Sequence, residues 1–275
     1  MKKSNFVPFL SLCVIIVVVI LFMLLWKNPS SDSGVKSEST SERQSGNILS
    51  THETPGNNYS TEIPTYSDAD SPVTDNITAN PNNSVSMDDA LFIGDSRTVG
   101  LMEYAGIDGA DYFCTVGMSV YNIHKKPVSV PNVGKVTLTE LLNGKKYGKI
   151  YIMLGINELG YEVGGTVEKY RELLEFIEEK QPDAVIFVQA NLHVSKSRSD
   201  SDKVINNVAI NRFNGELAKL TDGKRRFYLD ANVLFDDETG GLSADKSEDN
   251  THLYAKYYKE WGEWIVGRTA ALIGE

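Results

Sequence analysis

The feature that most constrains the fold of this chain is an alternation of short apolar runs with amphipathic stretches over residues 87–275. Each run is apolar almost throughout, which is typical of parallel strands that are covered on both faces. The five runs are residues 90–93, 111–116, 149–154, 184–188 and 226–229. Strands that alternate with helices predict a doubly wound α/β fold, in which functional sites lie at the carboxyl ends of the strands.

Three of the intervening stretches carry apolar residues three and four positions apart, the spacing of a helix that buries one face. They predict helices over residues 166–180, 202–220 and about 254–273. Pro182 follows the first of these and Gly223 the second, and both residue types end helices. The last stretch carries Trp261 and Trp264 on one face, where we expect core packing and not a ligand platform.

The N-terminus carries a different signal. Residues 6–26 are 21 residues without a charge, and a helix of that length rises roughly 31 Å, the thickness of a bilayer's hydrocarbon core. Lys2 and Lys3 precede the run, which favours a cytoplasmic N-terminus. A cleaved signal peptide is the alternative, but such peptides have shorter apolar runs that end in small residues. We predict a single-pass anchor within residues 1–27 and place the rest of the chain outside the cytoplasm.

Residues 28–86 predict a disordered, solvated linker. Of these 59 residues, 36 are Ser, Thr, Asn, Pro or Gly, a composition that buries too little apolar surface to offset chain entropy. One folded domain is expected over residues 87–275. The only cysteines are Cys13, in the predicted anchor, and Cys114, so this domain has no internal disulfide to stabilise it. An extracytoplasmic domain without disulfides is typical of a bacterial surface protein.

Polar signatures follow three of the predicted strands, and a fourth precedes the last predicted helix. Residues 94–97, Gly-Asp-Ser-Arg, follow the first strand and run into a predicted helix, where a serine hydroxyl is exposed beside the positive helix terminus. Gly117 follows the second strand, and residues 155–158, Gly-Ile-Asn-Glu, follow the third. Residues 249–252, Asp-Asn-Thr-His, place a carboxylate and an imidazole within hydrogen-bonding reach on one loop.

These four blocks, in this order, resemble those of the SGNH, or GDSL, hydrolase superfamily over essentially all of residues 87–275. The resemblance implies a flavodoxin-like order of the five parallel strands. It also implies Ser96 as the nucleophile, His252 as the general base and Asp249 as the residue that orients it. An oxyanion hole would consist of the backbone N–H groups of Ser96 and Gly117 and the side chain of Asn157.

The sequence departs from the family pattern at two positions. Arg97 stands where the family name has Leu, and Glu158 stands where Asp is common, so both are candidates for substrate binding. Arg97 could contact an acidic substrate or could be a helix-surface arginine with a local partner. His193 follows the fourth strand and could line the cleft. The polar loop 191–203 could be a substrate-facing flap or a long solvated loop.

Several other classes of function lack their signatures. The first predicted turn has neither the Gly-Lys-Ser/Thr of a P-loop nor the glycine-rich loop of a dinucleotide site. No His or Cys cluster has the spacing of metal ligands, so we expect no metal and no cofactor. Residues 87–275 carry a formal charge of −7 and no basic patch, which argues against nucleic-acid binding.

The sequence therefore predicts a membrane-anchored extracytoplasmic serine esterase that forms an acyl-Ser96 intermediate. O-acetyl groups of cell-surface glycan are the favoured substrate, and lipid or small-molecule esters are open alternatives. An acyltransferase with the same triad, which passes the acyl group to a sugar hydroxyl, is a second hypothesis. A non-catalytic surface-binding module on a hydrolase scaffold is a third. The oligomeric state is left open.

Overall fold

The computed structural model describes residues 85–274 of the chain. The predicted anchor, residues 1–27, lies outside the described residues, and so does the predicted linker 28–86 except for its last two residues. Val85 and Met87 pack into the hydrophobic core, with 5% of each exposed. Within residues 85–274, no helix combines the length and the apolar character that a membrane crossing requires.

A parallel five-stranded sheet forms the centre of the described part. Its strands are β1 (Ala90–Gly94), β2 (Asp111–Cys114), β5 (Lys149–Met153), β6 (Val185–Gln189) and β7 (Arg226–Leu229). They lie in the order β2-β1-β5-β6-β7, and every pairing is parallel. The doubly wound, flavodoxin-like sheet is therefore confirmed. The chain moves to opposite sides of β1 to form β2 and β5, and a crevice at such a reversal point is where these folds bind ligands.

Seven α-helices, two short 3₁₀-helices (Ile156–Glu158 and Ala244–Lys246) and one hairpin complete the described part. The helices are α1 (Ser96–Tyr104), α2 (Leu138–Gly144), α3 (Val163–Lys180), α4 (Lys196–Ser201), α5 (Asn207–Ala218), α6 (Asn232–Phe235) and α7 (Ala255–Ile273). The antiparallel hairpin consists of β3 (Val128–Val130) and β4 (Gly134–Val136). The predictions of α3 and α7 are confirmed to within three residues, whereas the hairpin, α2, α4 and α6 were not predicted.

The prediction of a helix over residues 202–220 is wrong at its N-terminal end, since the observed helix is α5. The Asp202 carboxylate accepts the backbone N–H groups of Val204 and Ile205, both at 2.9 Å, and these bonds stabilise a turn in place of a helix. The helix begins only at Asn207, because the Asn206 side chain caps it by accepting the N–H of Ala209 at 3.0 Å. The apolar spacing extends across the turn, so periodicity alone did not mark the boundary.

The two faces of the sheet pack against separate hydrophobic clusters, because successive strand residues point to opposite faces. On the face that α1 and α7 cover, five aromatic rings form a continuous ladder across the strands. The ring centroids are separated by 5.1, 4.4, 4.7 and 5.8 Å along the series Tyr112, Phe92, Tyr151, Phe187 and Phe227. The expected core role of Trp261 is confirmed, since its side chain is fully buried in this cluster.

We predict that Phe92→Ala lowers the free energy of unfolding by about 3–5 kcal/mol, because it leaves a cavity at the centre of the aromatic ladder. Chemical denaturation monitored by circular dichroism measures the loss. Val208→Ala is the matched control, since Val208 is 80% exposed, and we expect a change within about 0.5 kcal/mol. Equal effects of the two substitutions would contradict the packing assigned to the ladder.

Candidate active site

Ser96 is the first residue of α1, directly after β1. Asp95 is the helix cap, and its carboxylate accepts the N–H of Arg97 at 2.9 Å. Position 94, directly before Asp95, must be glycine, because a Cβ there would lie 2.0 Å from the Thr98 hydroxyl and 2.7 Å from the carbonyl oxygen of Met153. Close packing of the turn against β5 therefore places a half-buried serine hydroxyl at the carboxyl edge of the sheet.

The structure brings Ser96, His252 and Asp249 into one hydrogen-bonded series. Ser96 Oγ lies 2.9 Å from His252 Nε2, although the two residues are 156 positions apart. His252 Nδ1 lies 2.6 Å from Asp249 Oδ2. The other oxygen, Asp249 Oδ1, accepts the backbone N–H groups of Thr251 and His252 at 2.9 and 2.7 Å. One carboxylate therefore both shapes the loop and orients the imidazole.

The ionisation of Asp249 decides the direction of these hydrogen bonds. Partial burial by itself would raise the pKa of Asp249, but the hydrogen bonds from His252 and Thr251 outweigh it and lower the pKa to about 2. The carboxylate is therefore charged at neutral pH and can only accept. His252 Nδ1 donates to it, which leaves Nε2 as an acceptor for the Ser96 hydroxyl proton. This is the tautomer that a general base for Ser96 requires.

The three predicted oxyanion donors lie on turns that follow neighbouring strands. Asn157 is on the turn after β5, and its Nδ2 donates to the carbonyl oxygen of Met118 at 3.0 Å and faces Asp95 Oδ2 at 3.5 Å. Gly117 precedes Met118 on the turn after β2, in the left-handed conformation that favours glycine, with φ +75°. Asn157 thus contacts both the turn that carries Ser96 and the turn that carries Gly117.

Arg97 is buried, which corrects both expectations for it. Its side chain is 1% exposed, so it is neither a surface arginine nor open to a substrate. Nη2 donates to the carbonyl oxygen of Thr251 at 3.4 Å. Burial lowers the pKa of the guanidinium, and the negative charges of Asp95 and Asp249 oppose that shift. Arg97 therefore lies beneath the loop that carries His252 and bonds to the backbone of that loop.

Thr251 and Arg198 are residues of this region that sequence reasoning missed. Arg198, on α4, donates through Nη1 to the Thr251 hydroxyl, so two arginines bond to the residue that directly precedes His252. Arg198 lies in the polar segment 191–203, which the sequence left as a flap or a solvated loop. That segment contains α4 and is bonded to residue 251. Only the fold shows this contact, because 53 positions separate the two residues.

Glu158 is also buried, with 2% exposed, and does not face a substrate as expected. Its Oε1 accepts the backbone N–H of Val120 at 2.8 Å. Burial raises the pKa of Glu158 to about 7, although hydrogen bonds from Val120 and its own turn oppose the shift. The carboxyl group connects the turn after β5, which carries Asn157, to the loop after β2.

His193 does not join the series at Ser96, which corrects the expectation that it lines the cleft. It is 8% exposed, with Nδ1 2.7 Å from Asp236 Oδ2 and Nε2 2.7 Å from Asn211 Oδ1. Burial alone would lower its pKa, but the hydrogen bonds to Asp236 and Asn211 outweigh it and raise the pKa. His193 therefore ties α5 to the turn that follows α6.

We predict that Glu158 makes stability fall as pH rises from 4.5 to about 7. In that window the unfolded chain loses the carboxyl proton while the folded chain keeps it. The loss amounts to about 3 kcal/mol, and Glu158→Gln removes it, because glutamine stays neutral. Denaturant unfolding at a series of pH values measures the difference. Glu172 lies on the exposed surface of α3, so we expect Glu172→Gln to keep the pH dependence of stability of the wild type. The same pH dependence in Glu158→Gln as in the wild type would contradict this assignment.

Neither a protein-family model nor a curated protein matches the sequence. Solved structures share its fold at low sequence identity. A candidate platelet activating factor protein from Streptococcus pneumonia has a TM-score of 0.54 and 18% identity, over 67% of this chain and 83% of its own. A GDSL-like lipase from Bacteroides thetaiotaomicron has a TM-score of 0.51 and 12% identity, over 70% of this chain and 91% of its own. The described part of the chain therefore has the α/β fold of the SGNH, or GDSL, hydrolases.

Proposed function

We propose that this protein is a serine esterase that cleaves acyl esters through an acyl-Ser96 intermediate. The observation that carries the proposal is the hydrogen-bonded series from the Ser96 hydroxyl through His252 to the charged Asp249, at 2.9 and 2.6 Å. A free serine hydroxyl is a poor nucleophile at neutral pH and needs an adjacent base. The position of His252, between Ser96 Oγ and the Asp249 carboxylate, supports its assignment as that base.

In the first half of the reaction, Ser96 Oγ attacks the ester carbonyl carbon while His252 Nε2 takes the hydroxyl proton. The tetrahedral intermediate collapses when the alkoxide leaves, and the imidazolium returns the proton to that oxygen. The acyl group is then bonded to Ser96 Oγ. In the second half, His252 removes a proton from water, the resulting hydroxide attacks the acyl carbon, and Ser96 regains its proton as the carboxylic acid departs.

Three N–H donors would stabilise the negative oxygen of each tetrahedral intermediate. The Ser96 N–H lies at the N-terminus of α1, where the helix dipole favours negative charge. The Gly117 N–H and Asn157 Nδ2 belong to the adjacent turns after β2 and β5. A preorganised donor of this kind is worth roughly 10²–10³ in rate. Asn157 would have to turn one N–H from the carbonyl oxygen of Met118 or from Asp95 to the intermediate.

The finer proposal is that the enzyme acts outside the cytoplasm, anchored by residues 6–26, on O-acetyl groups of cell-surface glycan at a bacterial surface. The uncharged run of 21 residues and the polar stretch 28–86 support it. An anchor would hold the domain near the membrane, and a flexible linker would extend its reach. Neither a metal nor another cofactor enters the proposed chemistry.

We predict that Ser96→Ala lowers kcat for p-nitrophenyl acetate at least 10³-fold in the full-length protein, since it removes the nucleophile. It also abolishes labelling by a fluorophosphonate probe. Ser243→Ala is the matched control. Among the described residues the Ser243 hydroxyl bonds only to Asp245, at 2.6 Å. We therefore expect this variant to keep both the hydrolysis and the labelling. Activity that survives Ser96→Ala would overturn the mechanism. A wild-type protein that the probe does not label would favour a non-catalytic binding module.

We also predict that the full-length protein stays in the membrane fraction after a high-salt wash and is released by detergent. Deletion of residues 6–26 moves it to the soluble fraction, because those residues supply the apolar surface that binds the bilayer core. N-terminal sequencing of the mature chain checks the alternative directly. A mature N-terminus beyond residue 27 would contradict the anchor and favour a cleaved signal peptide.

A further inference from the structure

Two adjacent residues on the turn after β5 bond to the loop after β2 at two points. Asn157 Nδ2 donates to the carbonyl oxygen of Met118 at 3.0 Å, and Glu158 Oε1 accepts the backbone N–H of Val120 at 2.8 Å. The first of these loop residues directly follows Gly117, the predicted backbone donor of the oxyanion hole. The two bonds therefore fix the relative position of the turns that carry two of the proposed donors.

The side chain of Asn122 makes residues 117–122 a compact turn. Its Nδ2 donates to the carbonyl oxygen of Gly117, and its Oδ1 accepts the N–H of Ser119, both at 3.0 Å. The backbone N–H of Asn122 also donates to the carbonyl oxygen of Ser119, at 3.1 Å. A displacement of Val120 is therefore transmitted to Gly117, because the residues between them are bonded into one unit.

The bond from Asn157 to the loop cannot serve as a fixed tie during the proposed reaction. Nδ2 of Asn157 faces both the carbonyl oxygen of Met118 and Asp95 Oδ2, and one of these contacts must loosen when Asn157 donates to the negative oxygen of the intermediate. The bond between Glu158 and Val120 has no part in that exchange. It is the tie that can hold the Gly117 turn while Asn157 is engaged.

The Glu158 carboxyl group occupies a place where it costs stability. It is 2% exposed, and its Oε2 has no hydrogen-bond partner among residues 85–274. Burial and the negative charge of Asp95 both disfavour its ionised form. A buried group that lowers stability where it stands is typical of a functional site and not of a core. Its place beside Asn157 is therefore better explained by the site than by packing.

We propose that Glu158 is a positioning residue of the oxyanion hole, whose acceptor oxygen keeps the Gly117 N–H in place while Asn157 binds the negative oxygen. This role rests on the proposed esterase function and adds a residue to its machinery. Glu158 touches no reacting atom and acts only through the backbone of Val120. It therefore contributes to stabilisation of the tetrahedral intermediate and not to binding of the ester.

Substitutions of Glu158 in the full-length protein test this role. Glu158→Met removes the acceptor and keeps the length of the side chain. We expect it to lower kcat for p-nitrophenyl acetate at least about tenfold, with KM changed less than about twofold, because only the intermediate loses a stabilising contact. We also expect the inhibition constant of phenylboronic acid, which forms a tetrahedral adduct with a serine hydroxyl, to rise at least about tenfold.

Two further variants keep the test independent of the folding of Glu158→Met. Glu158→Gln retains an acceptor oxygen, so we expect it to recover most of the loss in kcat and in inhibition. Glu158→Asp retains the carboxyl group but withdraws it by one methylene, so we expect it to lower kcat at least about threefold.

Gln181→Met is the matched control. Gln181 is 1% exposed, and its Oε1 accepts the backbone N–H of Tyr147 at 3.0 Å. This bond lies next to the amino ends of β5 and β6, at the edge of the sheet opposite Ser96. The control therefore removes the same kind of buried acceptor. We expect at least as large a loss of stability in chemical denaturation, with the wild-type kcat and the wild-type inhibition by phenylboronic acid.

The outcomes separate a positioning role from a purely structural one. A wild-type kcat in both Glu158→Met and Glu158→Asp overturns the role of Glu158, and so does a loss of kcat in Gln181→Met equal to that in Glu158→Met. A Glu158→Gln protein as impaired as Glu158→Met also overturns it, because that variant keeps the acceptor. If the wild type neither hydrolyses p-nitrophenyl acetate nor reacts with a fluorophosphonate, the esterase function itself fails, and the role of Glu158 fails with it.

Discussion

The proposed chemistry depends on the hydrogen bonds that Asp249 makes within residues 247–252. Its Oδ1 accepts the N–H groups of Thr251 and His252, and its Oδ2 accepts from the imidazole. The same bonds lower the pKa of Asp249 to about 2 against the effect of partial burial. A carboxylate that is always charged at neutral pH fixes the tautomer of His252. The orientation of the imidazole toward Ser96 follows from that constraint.

Buried polar side chains hold this loop and the turns around it in place. Arg97 donates to the carbonyl oxygen of residue 251, and Glu158 accepts the N–H of Val120. Asn191 accepts the N–H of Ile156 at 3.0 Å, next to Asn157. Each of these side chains has at least one backbone partner on a neighbouring loop, which offsets part of the cost of its burial. The burial of these side chains therefore gives the turns after β1, β2 and β5 a defined relative position.

Much of the fold and the composition of the candidate site could be predicted from the sequence. Apolar runs are the dominant signal for buried parallel strands, so all five strands were predicted. The roles predicted for Arg97, Glu158 and His193 were wrong because motif position indicates proximity to the site but not the direction of a side chain. Arg97 follows Ser96 on a helix, where adjacent residues point about 100° apart, so one faces the cleft and the other the interior. The boundary at Asn207 was missed because side-chain caps from Asp202 and Asn206 overrode the apolar spacing.

The sequence by itself determined the strand–helix alternation, the polar blocks at the strand ends and the Asp-x-x-His spacing, because these depend on local patterns of hydrophobicity and short-range hydrogen bonding. Only the tertiary structure decided that Ser96 meets His252 across 156 positions. It also decided that α4 bonds to the His252 loop through Arg198 and that Arg97 holds this loop from beneath. Contacts of this kind form only when the sheet and its loops pack together, because they join residues that are far apart in the sequence. No local pattern of residues indicates which distant segments will meet.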